Sequence, residues 1–304
     1  MARILTRLLA GGTLTAAAVL TYAAGYELHD FRLRRVDVPV LPPSSRPLSV
    51  LHLSDLHLTP WQRAKQQWVA GLAGLCPDLV VSTGDLIAHA DAVDPLAEAL
   101  AGLLARPGVF VHGSNDYFAP VHRNPARYLL PDDGRRAVHG DRLPTEQMDE
   151  VLLRAGWLDL DNARADVVLH GLRLHLAGTD DAHLDYDDLS VLADPAPAQA
   201  DLVLGVTHAP YLRVLDAFVA AGAGLVLAGH THGGQVCLPG GRALVTNCDL
   251  EPARVRGLSR HPADGGPGSA WLHVSAGLGT SPTAPFRVAC KPEATLLSLL
   301  PHSA

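Results

Sequence analysis

Four short apolar runs in this chain each give way, within a few residues, to an aspartate or a histidine. Leu48-Ser49-Val50-Leu51-His52-Leu53 precedes Asp55 and His57, and Leu79-Val80-Val81 precedes Asp85. Leu202 to Val206 precedes His208, and Val226-Leu227-Ala228 precedes Gly229-His230-Thr231-His232-Gly233-Gly234-Gln235. Apolar runs this short read as buried strands. In open α/β sheets ligands gather where strands pass into loops. The pattern therefore sets an α/β fold with six candidate ligands at strand ends.

The residue types define the chemistry. Imidazole and carboxylate together suit zinc, iron or manganese, whereas an all-oxygen cage suits calcium or magnesium. Two such ions about 3.5–4 Å apart can clamp the attacking and leaving oxygens of an in-line displacement. One carboxylate must then bridge them and offset their repulsion. Water on such an ion becomes hydroxide near neutral pH, so no serine or cysteine nucleophile is required. Gly229, Gly233 and Gly234 fit a tight ligand turn, since glycine tolerates positive φ.

Taken in order, Asp55-Leu56-His57, Gly84-Asp85, the block at Gly113, the lone His208 and the Gly229–Gln235 turn resemble the calcineurin-like metallophosphoesterase superfamily. That superfamily reads DxH, GD, GNH[DE], H and GHxH, and the likeness covers about residues 47 to 300. The GHTHGGQ turn is most similar to a bacterial, membrane-associated branch. The resemblance implies two divalent ions (manganese, iron, zinc or similar), with Asp55, His57 and His232 on one, His208 and His230 on the other, and Asp85 bridging. It also implies two mixed β-sheets packed face to face with helices on both outer faces, a four-layer αββα sandwich. The implied activity is hydrolysis of a phosphomonoester or phosphodiester; the alternative is a non-catalytic binding scaffold on the same fold.

One block departs from the family pattern. Gly113-Ser114-Asn115-Asp116 stands where the family has GNHD. Aligned without a gap, Ser114 replaces the ligand asparagine and Asn115 the histidine that assists the phosphate. Slid by one residue, Asn115 remains a metal ligand and Asp116 takes the catalytic position of that histidine. An amide carbonyl is a better neutral oxygen ligand than a hydroxyl, which favours Asn115. Asp116 has a second reading, as a carboxylate that orients a ligand histidine. His89, His112 and His183 are the other candidates for the missing group. No substrate-binding residue is named by the pattern.

The chain has 304 residues, 24 basic against 31 acidic, and no basic run that would track a nucleic-acid backbone. Cys76, Cys237, Cys248 and Cys290 form no CxxC pair and read as small core residues. Residues 1–28 contain an uncharged stretch, Leu8 to Tyr26, long enough to span a membrane. It reads as an anchor, with a helix docked on a soluble domain and a cleaved signal peptide as alternatives. Arg3 and Arg7 on one side and Arg32, Arg34 and Arg35 on the other leave it unoriented. Residues 29–46 read as an extended, proline-marked connector, and 47–304 as the catalytic domain. Within it, helices are predicted over Trp61 to Ala73, from Asp94-Pro95 to about Ala105, and over Thr145 to Ala155. Val167 to His170 and Leu172 to Ala177 are predicted to form a hairpin, with later strands at Leu202, Leu225, Ala243, Trp271 and Thr295. The Ala119 to Pro144 segment, with Arg123, Arg127, Arg135, Arg136 and Arg142, reads as a solvated loop or as a cap offering arginines to phosphate. The acidic run from Asp180 to Asp188 reads as a loop near the metal rim.

Overall fold

The computed structural model describes residues 19–121, 140–238, 240–280 and 284–302. Two six-stranded mixed sheets face each other. The first runs β1 (Arg32–Leu41), β12 (Glu293–Pro301), β2 (Leu48–Leu53), β3 (Leu79–Ser82), β4 (Gly108–Phe110) and β5 (Leu158–Asp159). The second runs β10 (Gly257–His261), β11 (Ala270–Val274), β9 (Leu225–Ala228), β8 (Leu202–Val206), β7 (Leu172–Gly178) and β6 (Ala163–Leu169).

Strand side chains alternate between faces, so one run of apolar residues can serve two cores at once. Val50, Leu79 and Val81 point inward and meet Leu174, Leu204, Val206 and Leu227 of the other sheet. Leu51, Leu53, Val80 and Phe110 point outward. There they are covered by α1 (Arg63–Gly71), α2 (Val93–Leu104) and, beyond the short helix α3 (Ser114–Tyr117), by α4 (Thr145–Arg154), through Val69, Leu96, Leu100, Met148 and Leu152. On the opposite outer face Val214, Leu215 and Phe218 of α5 (Leu212–Ala220) cover Val226, Ala228 and Leu272. The result is the expected four-layer αββα sandwich. Strands β2, β3, β8 and β9, buried on both faces, all deliver their C-terminal ends to one edge of the molecule.

Some boundaries differ from the sequence reading. Residues 32–41 of the connector form β1, which pairs with β12 in parallel and closes that side of the first sheet. Helix α1 begins at Arg63, because the Thr59–Gln62 segment closes as a turn and the Gln66 side chain bonds the Thr59 and Pro60 carbonyls. Ala243 makes only an isolated bridge to Cys237, whereas Gly257–His261, missed in the sequence, is a strand. The predicted hairpin is present as β6 and β7, antiparallel. Of the cysteines, Cys76 is exposed and the other three are buried.

Most of the Leu8–Tyr26 stretch lies outside the described residues, as do Arg123, Arg127, Arg135 and Arg136. Arg142 lies over the Phe118 ring, 5.4 Å from its centroid. Among the described residues no helix is long and apolar enough to cross a membrane. The end of the stretch meets the domain: Ala23 is buried, and its carbonyl accepts the Arg287 backbone N–H.

Candidate metal centre

The loops after β2, β3, β8 and β9 bring Asp55, His57, Asp85, His208, His230 and His232 together, all buried. The ring nitrogens come in two facing pairs. His57 Nε2 lies 3.3 Å from His232 Nε2, and His208 Nε2 lies 3.3 Å from His230 Nδ1. Between them sits Asp85, whose Oδ2 is 3.3 Å from His57 Nε2 and 3.6 Å from His208 Nε2. Asp55 Oδ1 is 3.7 Å from His232 Nε2. Ligand atoms of Asp55, His57 and His232 lie within 4.8 Å of one another, as do those of Asp55, Asp85 and His208. Asp55 belongs to both groups.

This donor set fits divalent metal. His208 Nδ1 donates to the Thr83 carbonyl at 2.7 Å, which leaves the Nε2 lone pair of a neutral ring aimed at the cluster. Facing imidazole nitrogens and buried carboxylates repel unless protons or cations stand between them. Burial pushes Asp55 up to about 6. His57 falls to about 4, also through burial. His208 goes the other way, to about 9, because Asp85, Asp181 and Asp55 outweigh its burial. Asp55 and His208 both hold their protons more tightly than usual, and a cation bound among them would displace those protons.

The backbone is held in an uncommon form to achieve this. Asp55, His57, Asp85, His230 and His232 all have positive φ, at 50°, 41°, 56°, 66° and 50°. After β2, β3 and β9 the chain thus takes sharp left-handed steps at these residues, whereas His208 after β8 has no positive φ. In the last turn Gly233 and Gly234 have the expected positive φ, but Gly229 serves another purpose. A Cβ there would stand 1.9 Å from Ser54 Oγ and 2.6 Å from Asp55 Oδ2.

Asn115 joins the cluster through Asp85. Its backbone N–H donates to Asp85 Oδ1 at 2.8 Å and its amide to Oδ2 at 2.9 Å. Ser114 is one step further out, its hydroxyl 3.4 Å from that amide. The Asp116 carboxylate is taken up by backbone donors. Its carboxylate turns back into the protein and accepts N–H bonds from Asp85, Gly113, Leu86 and Ile87, at 2.7, 3.0, 2.7 and 3.3 Å. It shapes the Gly84-Asp85 loop.

The three alternative histidines separate clearly. Both ring nitrogens of His112 are engaged by carboxylates, Nδ1 by Asp161 and Nε2 by Asp149. His89 packs edge-on to the exposed Trp61 and accepts the Asp91 N–H. His183, in the acidic loop, lies 4.7 Å from His230 between ring centroids, and its Nδ1 is 3.0 Å from the Tyr211 hydroxyl. That loop is therefore at the rim, as expected. It also supplies Asp181, fully buried and pushed up to about 7, first by burial.

Arg287 was invisible in the sequence. It is fully buried and donates to the carbonyls of His232, Cys290, Ala276, Gly277 and Gly279, which hold the His232 turn against the segment packed on Asp55. No local pattern marks such a residue, because its partners are backbone atoms of three separate loops.

A family model described as calcineurin-like phosphoesterase matches residues 48–234. A "Transmembrane protein with metallophosphoesterase domain" from Danio rerio is 28% identical over 210 residues, which cover 66% of this chain and 44% of that protein. The chain thus spans less than half the length of that relative. The "Uncharacterized metallophosphoesterase YkuE" of Bacillus subtilis (strain 168) is 26% identical over 310 aligned positions, covering 96% of this chain and 93% of that one. An "Uncharacterized metallophosphoesterase" of Aquifex aeolicus (strain VF5) is 27% identical over 262, covering 84% and 87%.

Proposed function

This chain belongs to the calcineurin-like phosphoesterase family, and from that premise we propose that it is a binuclear metal-dependent hydrolase of a phosphomonoester or phosphodiester. The observation that supports this most directly is the pair of facing imidazole couples at 3.3 Å around one carboxylate, Asp85. Asp55, His57 and His232 would hold one ion, and His208, His230 and Asn115 the other, with Asp85 shared. Bound there, two divalent ions would supply a water activated at neutral pH and charge to stabilise the displaced oxygen.

The chain's own groups have distinct tasks in this reading. Asp116 fixes the loop that presents Asp85. The Thr83 carbonyl keeps His208 in the tautomer with its Nε2 lone pair inward. His183, steadied by Tyr211 beside His230, is placed to hydrogen-bond a phosphoryl oxygen. A substrate linked to a membrane or cell envelope is a further extension, which rests on the Leu8–Tyr26 stretch and on membrane association through it.

The test is metal content joined to turnover. Reconstitution with Mn²⁺ or Zn²⁺ should give about two ions per chain, and Asp85→Ala should lose most of both. His232→Ala and His208→Ala should deplete different ions. Metal binding without turnover on any chromogenic mono- or diester would leave a binding scaffold. One ion or none would sink the binuclear site. Removing residues 1–28 should release protein still active on water-soluble esters, and a wholly soluble full-length protein would end the anchor reading.

A further inference from the structure

Behind Asp55 runs a line of buried polar groups that the proposed chemistry does not use. His273 Nδ1 lies 2.9 Å from His52 Nδ1, and His52 Nε2 lies 3.0 Å from Thr83 Oγ1. The Thr83 hydroxyl is 2.7 Å from Ser54 Oγ, which bonds Asp55 Oδ2 at 2.5 Å. Every one of these residues is fully buried. His52 belongs to β2 and His273 to β11, so the line crosses from one sheet to the other.

Its direction is fixed from the carboxylate end. A carboxylate only accepts, so Ser54 spends its one proton on Asp55 and must accept from Thr83. Thr83, having donated, must accept from His52, which places a proton on His52 Nε2. Burial holds both rings neutral, His52 well below its ordinary range and His273 down to about 3. A neutral imidazole has one N–H. His52 Nδ1 is therefore a bare acceptor, and the proton between the two rings belongs to His273 Nδ1. That leaves His273 Nε2 without a proton. It is buried with no hydrogen-bond partner among the described residues, and the line starts at this ring.

We propose that His273 is a positioning residue for the metal centre, the origin of a one-way relay of hydrogen bonds that ends on Asp55. Bonds aligned in one direction polarise one another, so the carboxylate receives a stronger donor than an isolated serine would give. The relay ties down Oδ2 and leaves Oδ1 facing His232. The space for it is kept by Gly229, where a Cβ would fall on the last bond. Because the relay spans both sheets, the position of Asp55 depends on their spacing. The effect on metal rests on the binuclear reading above; the two tautomers do not.

The test begins with the protein as it stands. In full-length chain carrying ¹⁵N-labelled histidine, with His52 and His273 assigned from their glutamine variants, nitrogen shifts report which ring atom bears hydrogen. The expected result is Nε2–H for His52 and Nδ1–H for His273, with and without Zn²⁺. Like or reversed tautomers overturn the relay. His273→Phe should then weaken Zn²⁺ binding about ten-fold, the lower end for partners beyond the ligands themselves. His273→Asn, which can place an amide N–H near Nδ1, should restore most of it, and a filler without function would not show that rescue. Should His273→Phe fail to fold, Thr83→Val cuts the same line in the middle. Wild-type Zn²⁺ affinity in the variant that folds overturns the positioning role. Wild-type protein that binds no metal would sink the proposed function, while the tautomers would still be decided by themselves.

Discussion

The Asp116 carboxylate accepts the backbone N–H of Asp85 at 2.7 Å, which gives the residue expected to be catalytic a hold on the bridging candidate. Each carboxylate oxygen takes two backbone donors. In Asp116→Asn one oxygen becomes an NH₂ group facing N–H groups, and an orphaned buried donor costs about 1–3 kcal/mol. Metal-free Asp116→Asn should therefore melt at lower temperature and, reconstituted, bind metal more weakly. A variant as stable and as metal-rich as wild type, but slow, would return Asp116 to the chemistry.

Asn115 and Asp116 leave no histidine in the block after Gly113, and both face Asp85 or its loop rather than a leaving group. General-acid assistance is typically worth 10²–10⁴-fold and matters most for poor leaving groups. Turnover should accordingly favour nitrophenyl over alkyl esters, with a steep dependence on leaving-group pKa. If the dependence is shallow in wild type and steepens in His183→Gln, then His183 supplies the proton. Asn115→Ala should slow every ester alike, since its loss acts on Asp85 and the ion beside it.

How far such a site can be read before folding depends on what kind of interaction builds it. The six clustered Asp and His residues were legible because each follows a short apolar run, and β2, β3, β8 and β9 follow those runs closely. Strand β1 was not, since half of its side chains are exposed, with Arg32, Arg34 and Arg35 on an edge that is buried only at Val38 and Leu41. Asp116, Arg287 and the His273 relay were hidden for a different reason. Their partners are backbone groups or residues up to 221 positions away, and no spacing in the sequence encodes them.

His112 offers a pH signature away from the proposed metal site. Burial disfavours its charge, but the hydrogen bonds it donates to the Asp149 and Asp161 carboxylates win and raise it well above 6.5. A group raised in the folded state stabilises fully below its unfolded value, about 6.5, and loses that contribution as pH climbs through the folded one. The stability gap between wild type and His112→Gln, read by urea unfolding of metal-free protein, should be widest near pH 6. It should be on the order of 3 kcal/mol there, as for breaking a buried ion pair, and close in alkali. A gap independent of pH would mean that the ring is neutral.

The five left-handed residues of the proposed metal site set a limit on how this molecule can be improved. Backbone held in such regions costs on the order of 1–3 kcal/mol per residue, and a whole domain is stable by only about 5–15 kcal/mol. Glycine at Asp55, His57, Asp85, His230 or His232 would relax the turn it sits in while deleting a proposed ligand. Directed evolution for heat resistance alone would therefore collect inactive survivors at these positions. A useful selection must score hydrolysis and endurance together.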